Sequence, residues 1–492
     1  MQFERAGSIP RDGVINADIC IAGGGPAGIA LARSFVNEPV SVVLLESGGE
    51  DLDETSEALY EGTSTGDPYD VSATRVRRLG GASNHWAGWC RPLDPQDLTA
   101  RPWLAHSGWP FGREVLDPYY ERARPLCQLT EGPFELAPLL ADPTASVEAL
   151  IVNDVVTTAV YRLSPGPVHF GDAYRADLEQ APNIRVVLDA NVVDISADSS
   201  QSHVEQYKVA TLDGNRFSVG ARFFVLALGG IENARVLLAS APAGQVALGN
   251  RNDLVGRYFL DHPEVTAATI VCSGRVPPNY LGGRPDYLRT VLAFTPEFLA
   301  EHELPAVSFV FEPYPWDQSE DADTRVRPAD VAAVLGAVEG GESLPYSFAM
   351  RCEPEPNPDS RITLGADRDR LGMPRVDVHW KLGPRDRARF RTALDEMAKE
   401  LGVRGVGWLR REPTSFGADD ETYFYGAHHT GTTRMNDEPE LGVVDPNLRV
   451  HGVDNLFIAG SSVFPGCGFS NPTFTILALT LRLGDHLRTL VT

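Results

Sequence analysis

The chain has 492 residues, with 43 basic against 67 acidic side chains and a formal charge of −24. That length exceeds one simple core and fits one large or two interleaved domains. The charge repels phosphate backbones and anionic lipid, which argues against nucleic acid as a partner.

The N-terminal segment MQFERAGSIPRDGVINADIC carries Glu4 and has neither an apolar signal region nor a twin arginine. No later run approaches the ~20 apolar residues of a membrane span. The cysteines (Cys20, Cys90, Cys127, Cys272, Cys352 and Cys467) are scattered without a C-x-x-C pair, so neither a zinc site nor a disulfide framework is expected. The expectation is a cytoplasmic protein with no membrane partner.

Residues 18–22 (DICIA) form a short apolar run that ends in glycines. Ile29, Leu31, Ala32 and Phe35 follow at helix-like spacing, and residues 41–47 (SVVLLES) are apolar again, which predicts strand, turn, helix, strand. Residues 184–195 (IRVVLDANVVDI) and 223–230 (FFVLALGG) read as buried strands, and residues 230–240 (GIENARVLLAS) as a helix. Continuous apolar strands of this kind suit a sheet covered on both faces. From about 266 to 425 proline-rich segments mix with aromatics and alternating stretches, which predicts an antiparallel sheet with long loops. Residues 454–462 (DNLFIAGSS) again read as a buried strand ending at glycine, so the first domain is expected to resume there. The chain shows no internal repeat and no low-complexity segment.

Gly23, Gly25 and Gly28 match G-x-G-x-x-G between the first strand and the helix, where glycines permit a tight turn and bring the helix N-terminus close to a pyrophosphate. Glu46 ends the next strand, 18 positions after Gly28, where a carboxylate accepts from ribose hydroxyls. A dinucleotide is expected here, and both NAD and FAD satisfy this half-motif.

The chain resembles the glucose-methanol-choline (GMC) family of flavin oxidoreductases almost end to end. The likeness is carried by GGGPAG, RRLGGASNHWAG (77–88), LALGGIENARVLL, VGRYFLDHP (255–263), PNPDSRITL (356–364), and HHTGTTRM through VVDPNLRVHGVDNLFIAGSSVFPGCGFSNPTFT. Within the family, GGASNHW and GFSNPTFT look most like pyranose oxidases and bacterial C-glycoside 3-oxidases. The resemblance implies an α/β fold, α+β overall: a Rossmann-like FAD-binding domain with an interleaved antiparallel-sheet substrate domain, in the GMC and p-hydroxybenzoate hydroxylase-like architecture. The FAD-binding domain is expected over 14–100, 180–265 and 426–492, with a flavin-covering loop near 75–92. The substrate-binding domain is expected over 101–179 and 266–425. FAD rather than NAD is implied, with Gly460 and Ser461 closing over the pyrophosphate and Pro472 and Thr473 contacting the cofactor from the C-terminal side.

Oxidising a CH–OH group with a flavin requires a neutral base within hydrogen-bond reach of the hydroxyl while hydride leaves the carbon. Histidine suits this, with an ordinary pKa near ~6.5. The family's first catalytic position, a histidine three residues before a Gly-Thr pair, falls on His428 with Gly431 and Thr432. Its second falls on Asn471, whose amide is suited to orienting the hydroxyl or steadying an oxyanion. Asn471 before Pro472 is also a turn signal. His429 is expected to be a packed or solvent-facing neighbour, because adjacent residues on an extended segment point opposite ways. No metal site is implied, since His428 and His429 lack carboxylate or cysteine partners at ligand spacing.

The stretch Gly80, Gly81, Ser83, Asn84, His85 and Trp86 is read as a flavin-contacting loop. In pyranose oxidases the histidine of this segment is bonded covalently to the flavin. Asn84 replaces the family's threonine, and relatives with a similar segment hold FAD without a bond, so both states stay open for His85. Arg77 and Arg78 have two readings, pyrophosphate neutralisation or pairing with acids. His262, in the DHP triplet, is taken as structural. Trp316 is a candidate to stack on a sugar face, with a core tryptophan as the other reading.

The resemblance implies oxidation of a secondary ring hydroxyl of a pyranose or glycoside, at C3 of a C-glycoside or at C2 or C3 of glucose, with O2 reoxidising the flavin and giving H2O2. A 3-keto product would suit a downstream enzyme that cleaves the glycosidic C–C bond. The alternative is a dehydrogenase passing electrons to a quinone or other carrier, including in aminoglycoside-type metabolism. A third reading is a non-redox flavoprotein on the same fold.

Overall fold

The computed structural model describes residues 3–145, 147–241, 244–274, 276–281, 287–313, 345–411 and 423–491. Trp316 lies outside them. One sheet carries the nucleotide end. Its strands run in the order Phe3–Arg5, Ile184–Leu188, Val42–Leu45, Val14–Ala22, Arg216–Leu226, Val204–Ala210 and Asn191–Ala197, and Leu456–Ile458 also pairs with Arg216–Leu226. The central pairings are parallel: Ile19–Ala22 lie against Val42–Leu45 on one side and against Phe223–Leu226 on the other. These runs are almost wholly apolar and buried, because helices cover the sheet.

The first crossover helix, Pro26–Arg33, starts with proline in its first turn and Gly25 at the cap. A side chain at Gly28 would collide with the carbonyl oxygen of Gly23, so only glycine lets this helix lie so close to its strand. The C-terminal helix Thr473–Val491 packs on the same helix. The apolar run 184–195 is not one strand. It breaks at Asp189, whose φ of 59° turns the chain between Ile184–Leu188 and Asn191–Ala197. Apolar periodicity does not register such a turn. Among the described residues no helix is long and apolar enough to cross a membrane.

The second sheet is antiparallel, in the order Gly407–Arg411, Pro263–Cys272, Pro345–Cys352, Val307–Pro313, Leu288–Phe294, Val156–Leu163 and Trp89–Cys90. Tyr423–Tyr425 pairs with the start of Pro263–Cys272. A small third sheet joins Arg361–Arg368, Pro374–Trp380 and Thr63–Gly66. The strand Pro263–Cys272 leaves directly from His262, so the DHP triplet, Arg351 on the neighbouring strand and the segment before His428 meet at one end of this sheet.

The loop that leads to Asn471 is tied to the antiparallel sheet by a buried ion pair. Both guanidinium ends of Arg101 donate to Glu353, at 2.6 and 2.8 Å. The Glu353 carboxylate, fully buried, also accepts from the backbone of Gly468 at 3.0 Å. Burial works against the carboxylate's charge, but Arg101 and these hydrogen bonds hold its pKa below the ordinary value. Removing one partner strands a buried charge, whereas removing both does not. Glu353→Ala is therefore expected to lose on the order of 3–5 kcal/mol in a denaturant titration, and Arg101→Leu/Glu353→Leu to lose less than that single change.

Candidate active site

A cavity runs from the glycine-rich turn to the pair of histidines at 428 and 429, with about 1310 Å³ of space, solvent at the mouth included. Gly23, Gly25, Glu46, Gly81, Ser83, Gly460, Ser461, Pro472 and Thr473 all line it. Gly28 does not. Its place against Gly23 makes it a packing residue of the turn rather than a cavity contact. Space is open above Gly25 and Gly229, where an added Cβ would meet nothing within 4 Å. The first-turn N–H groups of Pro26–Arg33 have no partners within the helix, which favours an anionic group at that end. Glu46, 4 % exposed, accepts from the backbone of Gly24 and Gly48 at 2.7 Å each. Burial raises its pKa despite these bonds.

A buried ionic cluster forms part of the cavity wall. Glu232 accepts from Arg75 at 2.7 Å, Arg77 at 3.3 Å and Arg235 at 3.2 Å, and Arg235 also donates to Asp369 at 2.8 Å. The Arg75 and Arg77 guanidinium groups each lie 4.1 Å from the centre of the Tyr60 ring. Burial opposes ionisation of Glu232, but the three arginines outweigh it and bring its pKa down to about 2. Arg77 is thus a buried partner of Glu232 rather than a surface arginine, and Arg78 donates to Asn84 at 2.8 Å. Among the described residues, three buried polar atoms on the cavity wall make no hydrogen bond within 3.5 Å that meets the usual geometry, Thr74 Oγ1, Arg77 Nε and His429 Nε2, the last lying 4.0 Å from Asp261 Oδ2. Open backbone at the glycines, the Glu46 carboxylate on the cavity wall and buried polar atoms without a hydrogen bond fit a bound dinucleotide.

The loop over 80–86 is built by its own side chains. Gly80 and Gly81 take the left-handed backbone, at φ 94° and 51°. Ser83 donates to Gly80 O at 2.6 Å and accepts from the backbone of Phe170 at 3.1 Å. Asn84 donates to Leu79 O and Gly81 O at 3.0 and 2.8 Å, so it holds the loop and does not reach the cavity. Trp86 donates to Val168 O at 2.9 Å and packs edge-on against Phe170. His85 is exposed and outside the residues that line the cavity. Gly80, Asn84 and Trp86 do not line the cavity, and they support the loop through Asn84's bonds to its backbone and Trp86's bond to Val168 O.

His428 reaches the cavity through a bulge. Leu260 pairs with Thr430, and Pro263 with Tyr425, so Asp261 and His262 face the longer stretch Gly426, Ala427, His428 and His429. Ala427 absorbs the excess at φ 55°, and such bulges re-aim side chains. The buried Asp261 carboxylate staples the bulge by accepting from the backbone of His262 at 2.7 Å and of His428 at 2.8 Å, and from Tyr69 Oη at 2.6 Å. Burial pushes Asp261 up to about 7 against these bonds.

The His428 ring then lies between His262 and Asn471. His428 Nδ1 is 2.7 Å from His262 Nδ1, and His428 Nε2 is 3.2 Å from Asn471 Nδ2. Asn471 Oδ1 accepts from Arg351 at 2.7 Å, and Arg351 Nε donates to Glu264 at 2.7 Å across the strand pair. Burial, then His262, Arg351 and His429, holds His428 well below its ordinary pKa, so the ring is neutral. His429 is packed against the adjoining rings of Tyr69 and Phe259, and burial takes it down to about 3. His428 and Asn471 thus come together, while the sequence reading missed Asp261, Glu264, Arg351 and Glu232. The one signal for Glu232 was a lone acid in the apolar helix Gly229–Ala239.

Residues 356–480 match the family model described as GMC oxidoreductase. The chain is 25% identical to paromamine 6'-oxidase of Streptomyces fradiae, covering 94% of this chain and 90% of that protein. It is 26% identical to a C-glycoside 3-oxidase of Microbacterium trichothecenolyticum, over 83% of this chain and 75% of that protein. Its fold is similar to the crystal structure of pyridoxine 4-oxidase from Mesorbium loti, with a TM-score of 0.63 at 20% identity over 96% of this chain and 99% of that one. Residues 356–480 thus carry the GMC oxidoreductase match, the chain is similar to sugar oxidases along most of its length, and the protein is an FAD-dependent oxidoreductase that acts on CH–OH groups.

Proposed function

We propose that the protein oxidises a secondary ring hydroxyl of a pyranose sugar or glycoside to a ketone, with His428 as the base. The observation that carries this reading is the neutral His428 ring 3.2 Å from the Asn471 amide at the end of the nucleotide cavity. FAD, when bound, supplies the two-electron acceptor for the hydride leaving the C–H bond. Gly25, Glu46, Ser461 and Thr473 are the residues that would hold it. A substrate hydroxyl entering between His428 and Asn471 gives its proton to His428 Nε2, and the Asn471 N–H donates to the oxygen as negative charge develops there. Arg351, held by Glu264, keeps the Asn471 amide turned for that donation.

The names of the two relatives support a sugar-derived substrate and differ in the position they give, 6' and 3. We favour C3 of a C-glycoside, or C2 or C3 of glucose, with O2 as acceptor, and a carrier-linked dehydrogenase as the second reading. In an anaerobic titration, one of glucose, an O-glucoside or a C-glucoside is expected to bleach the flavin, and air to restore it with release of H2O2. A flavin that stays bleached in air identifies the dehydrogenase, and no bleaching by any of the three refutes the sugar reading. His428→Ala is expected to retain FAD and to slow anaerobic flavin reduction by about 10²–10⁴-fold. For Asn471→Ala the expected loss is about 10²–10³-fold, the cost of one oxyanion donor.

A further inference from the structure

His262 is buried, 1 % exposed, and is used by neither the cavity nor the substrate-facing pair. Its Nδ1 meets His428 Nδ1 at 2.7 Å, and its Nε2 lies 2.9 Å from the carbonyl oxygen of Gly468. Two ring nitrogens at that separation need one proton between them, and the ends of the chain of contacts decide where it sits.

A guanidinium only donates and a carbonyl oxygen only accepts. At one end, Arg351 donates at 2.7 Å to Asn471, so the amide oxygen faces Arg351 and the amide N–H₂ faces His428. An N–H₂ can only donate, so His428 Nε2 is bare and His428 Nδ1 carries the proton of the neutral ring. At the other end, Gly468 O accepts from His262 Nε2, so His262 Nδ1 is bare and accepts from His428. Both ends give the same assignment. Swapping any one proton in the series leaves two donors or two acceptors face to face in a buried site, which costs at least a lost hydrogen bond.

We propose that His262 is a positioning residue that locks His428 in the tautomer with the proton on Nδ1 and the lone pair of Nε2 turned to the substrate. Gly468 O, held through the Glu353 bond to the Gly468 N–H, and Arg351 fix the two ends of this relay. When Nε2 takes a proton, His262 Nδ1 continues to accept from Nδ1, so the imidazolium keeps a hydrogen-bond partner on its far side. The inference rests on the reading of His428 as the base, but its first test needs no substrate.

The test is ¹⁵N NMR of the holoenzyme labelled in histidine, with the His428 signals assigned by their loss in His428→Gln. The expected spectrum shows His428 with a protonated Nδ1 and a bare Nε2, a state that His262→Leu converts to a mixture. A protonated Nε2 in the wild-type enzyme, or an unchanged tautomer in His262→Leu, overturns the proposal. In anaerobic flavin reduction His262→Leu is expected to lower the limiting rate at least about tenfold with little change in KM, because tautomer and not binding is altered. His262→Asn places an amide oxygen where Nδ1 was and is expected to restore most of that rate. Equal loss in both variants, with FAD content retained, marks His262 as a packing residue only. If the tautomer is as assigned and no sugar bleaches the flavin, the substrate reading fails and the lock stands.

Discussion

Burial keeps the His428 ring uncharged, and the rest of the site is arranged around that constraint. A dry pocket disfavours the imidazolium, and the neighbours His262, Arg351 and His429 add to the effect rather than oppose it. Among the described residues no carboxylate hydrogen-bonds to the His428 ring. Glu264, the nearest acid on the strand, is engaged by Arg351, and Asp261 spends its lone pairs on backbone N–H groups and Tyr69. A histidine kept neutral in this way is ready to accept a proton without first losing one.

Geometry follows from the seam between the two large sheets. The mixed sheet provides the glycine-rich turn and the cavity, and the antiparallel sheet provides the strand ends that carry Glu264 and Arg351, with His262 just before them. The bulge around Ala427 lets a segment from the nucleotide side deliver His428 to that strand end. Asp261 makes the junction rigid by collecting both backbones on one carboxylate. The Arg101 and Glu353 pair does the same for the loop before Asn471, so each half of the pair at the cavity's end has its own buried anchor.

What the sequence made legible was local. The strand, turn and helix around Gly23, Gly25 and Gly28 announce themselves because the motif and the elements that give it meaning lie within about 30 residues. His428 and Asn471 were picked out through the Gly-Thr context and the family's C-terminal pattern, and the structure brings their side chains together. Asp261, Arg351 and Glu232 were not, because most of their partners lie far along the chain: Tyr69 and His428 for Asp261, Glu264 and Asn471 for Arg351, and Arg75 and Arg77 for Glu232. His262 looked structural for the same reason: its partners are a ring 166 positions away and a carbonyl 206 positions away. The loop over 80–86 shows the opposite failure. Its residues are conspicuous in sequence, yet Asn84 and Trp86 bond to the loop's own backbone and to Val168, so a conspicuous stretch proved to be partly scaffold.

The most direct test of a neutral His428 acting as base is the pH dependence of anaerobic flavin reduction by an oxidisable sugar, measured in the wild type and in Asp261→Asn. Because burial lowers the His428 pKa, the base is unprotonated at and below the ordinary histidine value, and the rate is expected to hold constant from pH 8 down through 6.5, with its acid limb lying lower still. Asp261, raised to about 7, is the other group in the bulge that titrates in this window, and any limb it causes disappears in Asp261→Asn. An acid limb at or above pH 6.5 that persists in Asp261→Asn would contradict the account, because it would mean that the base is an ordinary, solvated histidine.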